Sequence, residues 1–132
     1  MLGAVRVRGY QLHVLNMRTR MPFRYGIASM TALPHLFVRL EVEVGGRAHV
    51  GLAAEGLPPK WFTKDPTTSF HADLADMFDV IRHACATAVD AGAAATPFAW
   101  WRAVYEAQSA WGAACRLSSS TSTRSRPRSL AR

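Results

Sequence analysis

Residues 36–55 read LFVRLEVEVGGRAHVGLAAE, and the chain is organised around them. Leu36, Val38, Leu40, Val42 and Val44 alternate with Phe37, Arg39, Glu41 and Glu43, so one side of an extended segment is apolar and the other mostly polar. Gly45-Gly46 then supplies two residues that accept positive φ, the requirement of a two-residue hairpin turn. Ala48, Val50 and Leu52 continue the alternation on the return strand. A lone hairpin is marginal in water, so another strand and a helical cover are expected.

Residues 5–15 form the first strand. Val5 and Val7 alternate with Arg6 and Arg8, after which Tyr10, Leu12 and Val14 carry the apolar side, and Gly9 at the shift predicts a bulge. Residues 16–34 have no sustained period and hold Arg18, Arg20, Arg24, Gly26 and two prolines, which reads as a long loop. Phe23 and Tyr25 among the arginines suit an ordered loop that makes contacts. Residues 55–66, with Pro58, Pro59 and Pro66, form a second irregular stretch. There Trp61 and Phe62, between Lys60 and Lys64, either close the end of the core or face a ligand.

Two helices follow. Thr68 or Ser69 caps the first, and Phe70, Leu74, Met77, Ile81, Cys85 and Ala88 make its apolar stripe. Asp73, Asp76, Asp79, Arg82, His83 and Asp90 are expected to face water, and Gly92 ends the helix. Thr96-Pro97 opens the second, whose Phe98, Trp100, Trp101, Val104, Tyr105 and Trp111 leave only Arg102, Glu106 and Ser109 as a narrow polar stripe. Such a helix wants burial on more than one side, which implies a missing neighbour. After Gly112 the composition turns to Ser, Thr and Arg, so residues 113–132 are expected to be a disordered basic tail. The fold class is therefore α+β: a three-stranded antiparallel sheet (strand, long loop, hairpin), two or more packed helices and that tail, with residues 1–112 as one domain.

Charge changes this picture little. The formal balance is +7, but Arg116, Arg124, Arg126, Arg128 and Arg132 lie after residue 115 with no acid among them, and the rest of the 132 residues carries only +2. The basic character belongs to the tail and by itself makes a weak case for nucleic acid. No run approaches the ~20 apolar residues of a membrane span, and residues 1–15 lack the apolar block and cleavage site of a secretory signal. Cys85 and Cys115 are isolated thiols, and the expected compartment is the cytoplasm. The five histidines have no chelating spacing, the three periodic aspartates of the first helix read as a solvated face, and no nucleophile motif or phosphate loop is present. No catalytic or metal-ligating set emerges.

Met21-Pro-Phe-Arg-Tyr-Gly-Ile-Ala28, the strand 34–44 and the Gly51-Leu-Ala-Ala-Glu-Gly56 ending, in the order strand, loop, hairpin, Pro/aromatic loop and helix pair, resemble the N-terminal capping domain of the enolase superfamily, nearest its mandelate racemase and muconate-lactonising branch. The likeness runs over about residues 5–112. It implies that residues 17–31 and 55–65 close over a carboxylate substrate, with Arg24, Tyr25, Lys60 and Trp61 as substrate contacts. It also implies that Mg²⁺ and the proton-abstracting base of a lyase, isomerase or racemase lie in a barrel of about 200 residues or more, which this chain does not carry. The expectation is thus a capping-domain fragment, truncated or frame-shifted near residues 113–116, without activity or cofactor of its own, whose partner is the missing barrel and which self-associates through its Trp-rich helix. Two alternatives stay open: a small module using its Arg/Ser tail on nucleic acid, and an interaction module using Trp100, Trp101 and Trp111.

Overall fold

The computed structural model describes residues 3–26 and 28–122. Four strands and three helices follow in the order β1 (Val5–Tyr25), β2 (Ala28–Val44), β3 (Arg47–Gly56), α1 (Pro59–Phe62), α2 (Phe70–Asp90), β4 (Ala93–Ala94) and α3 (Pro97–Ser122). The architecture is α+β. One antiparallel sheet has the order β3-β2-β1-β4, and the helices meet it chiefly along β1 and β4.

The hairpin forms as its sequence demands. Gly45 and Gly46 take φ of +56° and +80°, and Val44 pairs with Arg47, which is the left-handed pair of a two-residue turn. The Gly9 bulge is also present, as a register shift between Val7 and Gly9. Two expectations fail in the sheet. Residues 16–34 are not a loop: β1 and β2 continue as a two-stranded arm, from Asn16↔Pro34 to Tyr25↔Ala28, interrupted between Arg18 and Phe23. Pairing partners fix the strand here, and the interruption hides its period from the sequence. The fourth strand, β4, is two alanines pairing with Val5 and Arg6.

The phase of β3 needs correcting as well. Cross-strand partners share a face, and the register sets Ala48, Val50 and Leu52 opposite Glu43, Glu41 and Arg39. They therefore lie on the side away from Val38, Leu40 and Val42. Val50 and Leu52 are correspondingly 55% and 79% exposed.

The helices start as expected. Ser69 Oγ accepts from the Ala72 amide at 3.1 Å, Thr96 Oγ1 accepts from that of Ala99 at 3.1 Å, and Gly92 follows α2 at φ +71°. Pro59 at the first position of α1 shows why the prolines of 55–66 do not exclude a helical turn: the missing N–H is one that a helix start leaves unused. α3 runs on to Ser122, past the expected end at Gly112, so residues 113–122 are helical. Once a helix exists, each further residue adds a hydrogen bond without a nucleation cost, and Ala113 and Ala114 are the best helix formers. The remainder of the expected tail, 123–132, lies outside the described residues.

The core is small. Among the described residues its buried apolar members are Val5, Val7, Leu36, Leu57 and Ala88, with Pro59 also fully enclosed. Leu57 and Pro59 close the end of the core, whereas Trp61 and Phe62 are 57% and 68% exposed. α2 packs against β1, and its Phe70 end lies beside the arm.

Candidate functional site

The loop between β3 and α2 is held by one lysine. Lys60 Nζ lies 2.5 Å from Asp73 Oδ2 and donates to the carbonyls of Asp65 and Thr68 (2.8 Å each) and to Thr68 Oγ1 (2.9 Å). Asp73, expected in solvent, is 1% exposed. It falls three residues after Phe70 and four before Met77, inside the apolar stripe, so the helix period carries it inward. Lys60 holds its carboxyl below the usual carboxylate range, helped by a Thr68 hydrogen bond and opposed by desolvation. Asp65 is lowered too, chiefly by the Thr67 hydroxyl at 2.6 Å and then by the Thr67 amide.

This network redefines Lys60. Its ammonium is engaged with four oxygens of its own chain, so contact with a substrate would require giving some of them up. Trp61 presents an exposed ring beside it. Arg24 is exposed near the end of the arm, where it pairs with Ser29, and the Tyr25 side chain lies outside the described residues. Lys60 and Trp61 belong to the β3–α2 loop, whereas Arg24 lies on the paired arm.

A different cluster does form a concavity. The arm (Asn16, Met17, Arg18, Ala32, Leu33 and Pro34) and the start of α2 (Phe70, His71 and Leu74) enclose an open hollow of about 300 Å³ with a mostly apolar lining. Arg18 and the first turn of α2 are among its walls. In the sequence Arg18 is one cation among several in an aperiodic stretch. The arm's pairing brings it to α2, and a linear pattern carries no signal of that. A second hollow, of about 450 Å³, lies on the other face of the sheet, where Arg8–Glu43 (2.7 Å) and Arg39–Glu41 (2.8 Å) already pair their charges.

The two long helices meet along a polar seam. His83 stacks on Trp111 at 4.2 Å and 13°. Gln108 Nε2 donates to the Val80 carbonyl at 3.0 Å, which turns Oε1 towards His83 Nδ1 at 2.5 Å and assigns the proton to that nitrogen. His83 is thus half-buried rather than solvent-facing, because Trp111 covers its ring. Trp100 Nε1 donates to the Ala88 carbonyl at 3.2 Å. Beside this seam, Phe98, Trp101 and Tyr105 line up with ring centres 5.5 and 5.3 Å apart and stay 67%, 50% and 59% exposed.

Among the described residues no three His, Cys, Asp or Glu side chains converge on a point that could hold a metal ion. No described helix is long and apolar enough to cross a membrane. No protein-family profile, curated protein or solved structure matches this chain.

Proposed function

We propose that this chain is a capping domain of the enolase-superfamily type, which shapes the mouth of a partner barrel and contributes recognition rather than bond-making. The observation that carries the reading is the uncovered aromatic strip of α3, Phe98, Trp101 and Tyr105, in a domain whose buried core is small. Exposed aromatics in a contiguous row are characteristic of surfaces that meet another protein. The hollow between the arm and α2 supports the second half of the reading. Its apolar walls, Arg18 and the positive end of α2 suit a small carboxylate bearing an apolar group. Arg24, Tyr25, Lys60 and Trp61 remain the contacts that the resemblance assigns. Of these, Lys60 acts as the brace of the 57–69 loop and Trp61 as its exposed face.

In this reading the metal and the base belong to the barrel, and this chain's part is to orient the substrate and exclude water from it. The test is to replace the capping domain of a mandelate-racemase-type enzyme with residues 3–122. Both halves of the fusion should fold cooperatively, and Trp101→Ser should uncouple them into two separate unfolding transitions. A fusion in which the two halves always melt independently, with or without Trp101, refutes the reading.

A further inference from the structure

β3 is an open edge. It has ten residues, no bulge and no proline, and among the described residues it pairs only with β2. Natural edges of this length are usually broken, shortened or guarded by lysines. This one has no lysine, and on one face it exposes Val50 and Leu52 (55% and 79%).

The turn decides which of its amides are available. In a two-residue hairpin the flanking residues, Val44 and Arg47, form a hydrogen-bonded pair. Amide groups then alternate along the strand. Those of Arg47, His49, Gly51, Ala53 and Glu55 turn towards β2, and those of Ala48, Val50, Leu52 and Ala54 turn outwards. Gly56 belongs to the outward set, and its N–H is taken by the Glu55 carboxylate at 3.0 Å, which closes the ladder at that end.

We infer that β3 pairs antiparallel with β3 of a second copy about a two-fold axis at Gly51, joining the two sheets into one. The sequence of the strand is complementary to itself in that register. Arg47 faces Glu55 of the second copy and Glu55 faces its Arg47. Val50 faces Leu52 on the opposite face, so each exposed apolar side chain gains a partner. Ala48 faces Ala54. The hydrogen-bonded pairs, Val50 with Leu52 and Ala48 with Ala54, are those whose amides point outwards. Arg47–Glu55 and Gly51–Gly51 fall at the non-bonded positions, where strands approach to about 4.5 Å between Cα atoms and opposite charges are closest. Gly51 places no side chain at the axis. Shifting the strands by two residues in either direction loses the Arg–Glu pairing. The helices meet the sheet chiefly along β1 and β4, the opposite edge, and do not obstruct the approach. This pairing is independent of the capping reading, which uses α3 and the arm.

Sedimentation equilibrium of the full chain tests it. The wild type is expected to dimerise. Arg47→Glu sets two like-charge pairs across the axis and should weaken the dimer about tenfold, and R47E/E55R, which restores both pairs in reverse, should recover it. Val50→Pro removes an outward N–H that the hairpin does not use, so it should abolish the dimer while leaving the β2–β3 hairpin intact by circular dichroism. A wild type that stays monomeric at about 0.1 mM overturns the inference, and so does a dimer that neither R47E nor R47E/E55R alters. If V50P fails to fold, the charge-reversal pair decides alone.

Discussion

Val7 and Val14 are the same residue on the same strand and the same face of the sheet, yet they are 2% and 47% exposed. Truncating each to alanine measures how far the core extends along β1. Val7→Ala removes two fully buried methyl groups, about 1.6 kcal/mol of transfer free energy at about 0.8 kcal/mol each. Val7 is enclosed, so a cavity cost adds to this and brings the loss to about 2–3 kcal/mol. Val14→Ala removes groups that are about half hydrated already and leaves no closed cavity, so about 0.8 kcal/mol is expected. For a chain of this size the difference should appear as a gap of roughly 5–10 °C between the two midpoints in thermal unfolding. Urea titrations followed by tryptophan emission should give parallel curves with unchanged slopes. Equal losses would mean that Val14 is covered as thoroughly as Val7, and the picture of a core thinning towards the arm would be wrong.

Two further perturbations test the loop brace and the hairpin. Asp73 and Asp65 have folded-state pKa values below their unfolded ones. Their contribution is therefore complete above the unfolded value of about 3.9 and is lost as pH falls through the folded values. Stability should drop on acidification below about pH 4, and Asp73→Asn should flatten that drop; an unchanged slope would remove the Lys60–Asp73 pair as its cause. At the turn, Gly45 sits at φ +56° and an added Cβ would meet Gly3 Cα at 3.6 Å, an ordinary contact. Asn suits that position of a type I′ turn, so Gly45→Asn should be neutral or stabilising by up to ~0.5 kcal/mol, whereas Gly46→Val, at φ +80°, should cost about 1–3 kcal/mol in the same denaturation assay.

The parts of this fold legible in the sequence are those set by neighbours in the chain. The Ser69 and Thr96 caps, Pro97 at a helix start, Gly92 at a helix end, the Gly45-Gly46 turn and the Gly9 bulge all follow from a few adjacent residues. The arm is not local. Arg18, Thr19, Arg20, Met21 and Pro22 break its period, and only pairing with residues 28–34 makes it a strand; Thr19 Oγ1, reaching the carbonyls of Thr31 (3.3 Å) and Met30 (3.4 Å), spans the irregular point. The two-alanine β4 has no pattern at all. The phase of β3 and the inward turn of Asp73 were legible in principle. An even-numbered turn puts Arg47, not Ala48, on the face of Val44, and Asp73 lies in step with Phe70 and Met77. In both places position along the element, not side-chain polarity, decides which way the residue faces. The candidate contacts were less legible than the fold, because Lys60 is absorbed by carbonyls that no motif announces.

The distribution of stability separates what this chain can vary from what it must keep. Among the described residues the buried positions are Val5 and Val7 on β1, Leu36 on β2, Ala88 on α2, and Leu57, Pro59 and Asp73 around the loop that Lys60 braces. The arm beyond Arg18 contributes little to that core: Met21 and Phe23 are 77% and 54% exposed, and no buried residue of the described set lies in it. A two-stranded arm with so little burial is expected to open locally at a free energy well below that of global unfolding. Substitutions at Arg20, Met21 or Arg24 should then leave thermal stability nearly unchanged. The framework is expected to tolerate sequence change at the arm beside the hollow and to resist it at the brace that fixes the loop.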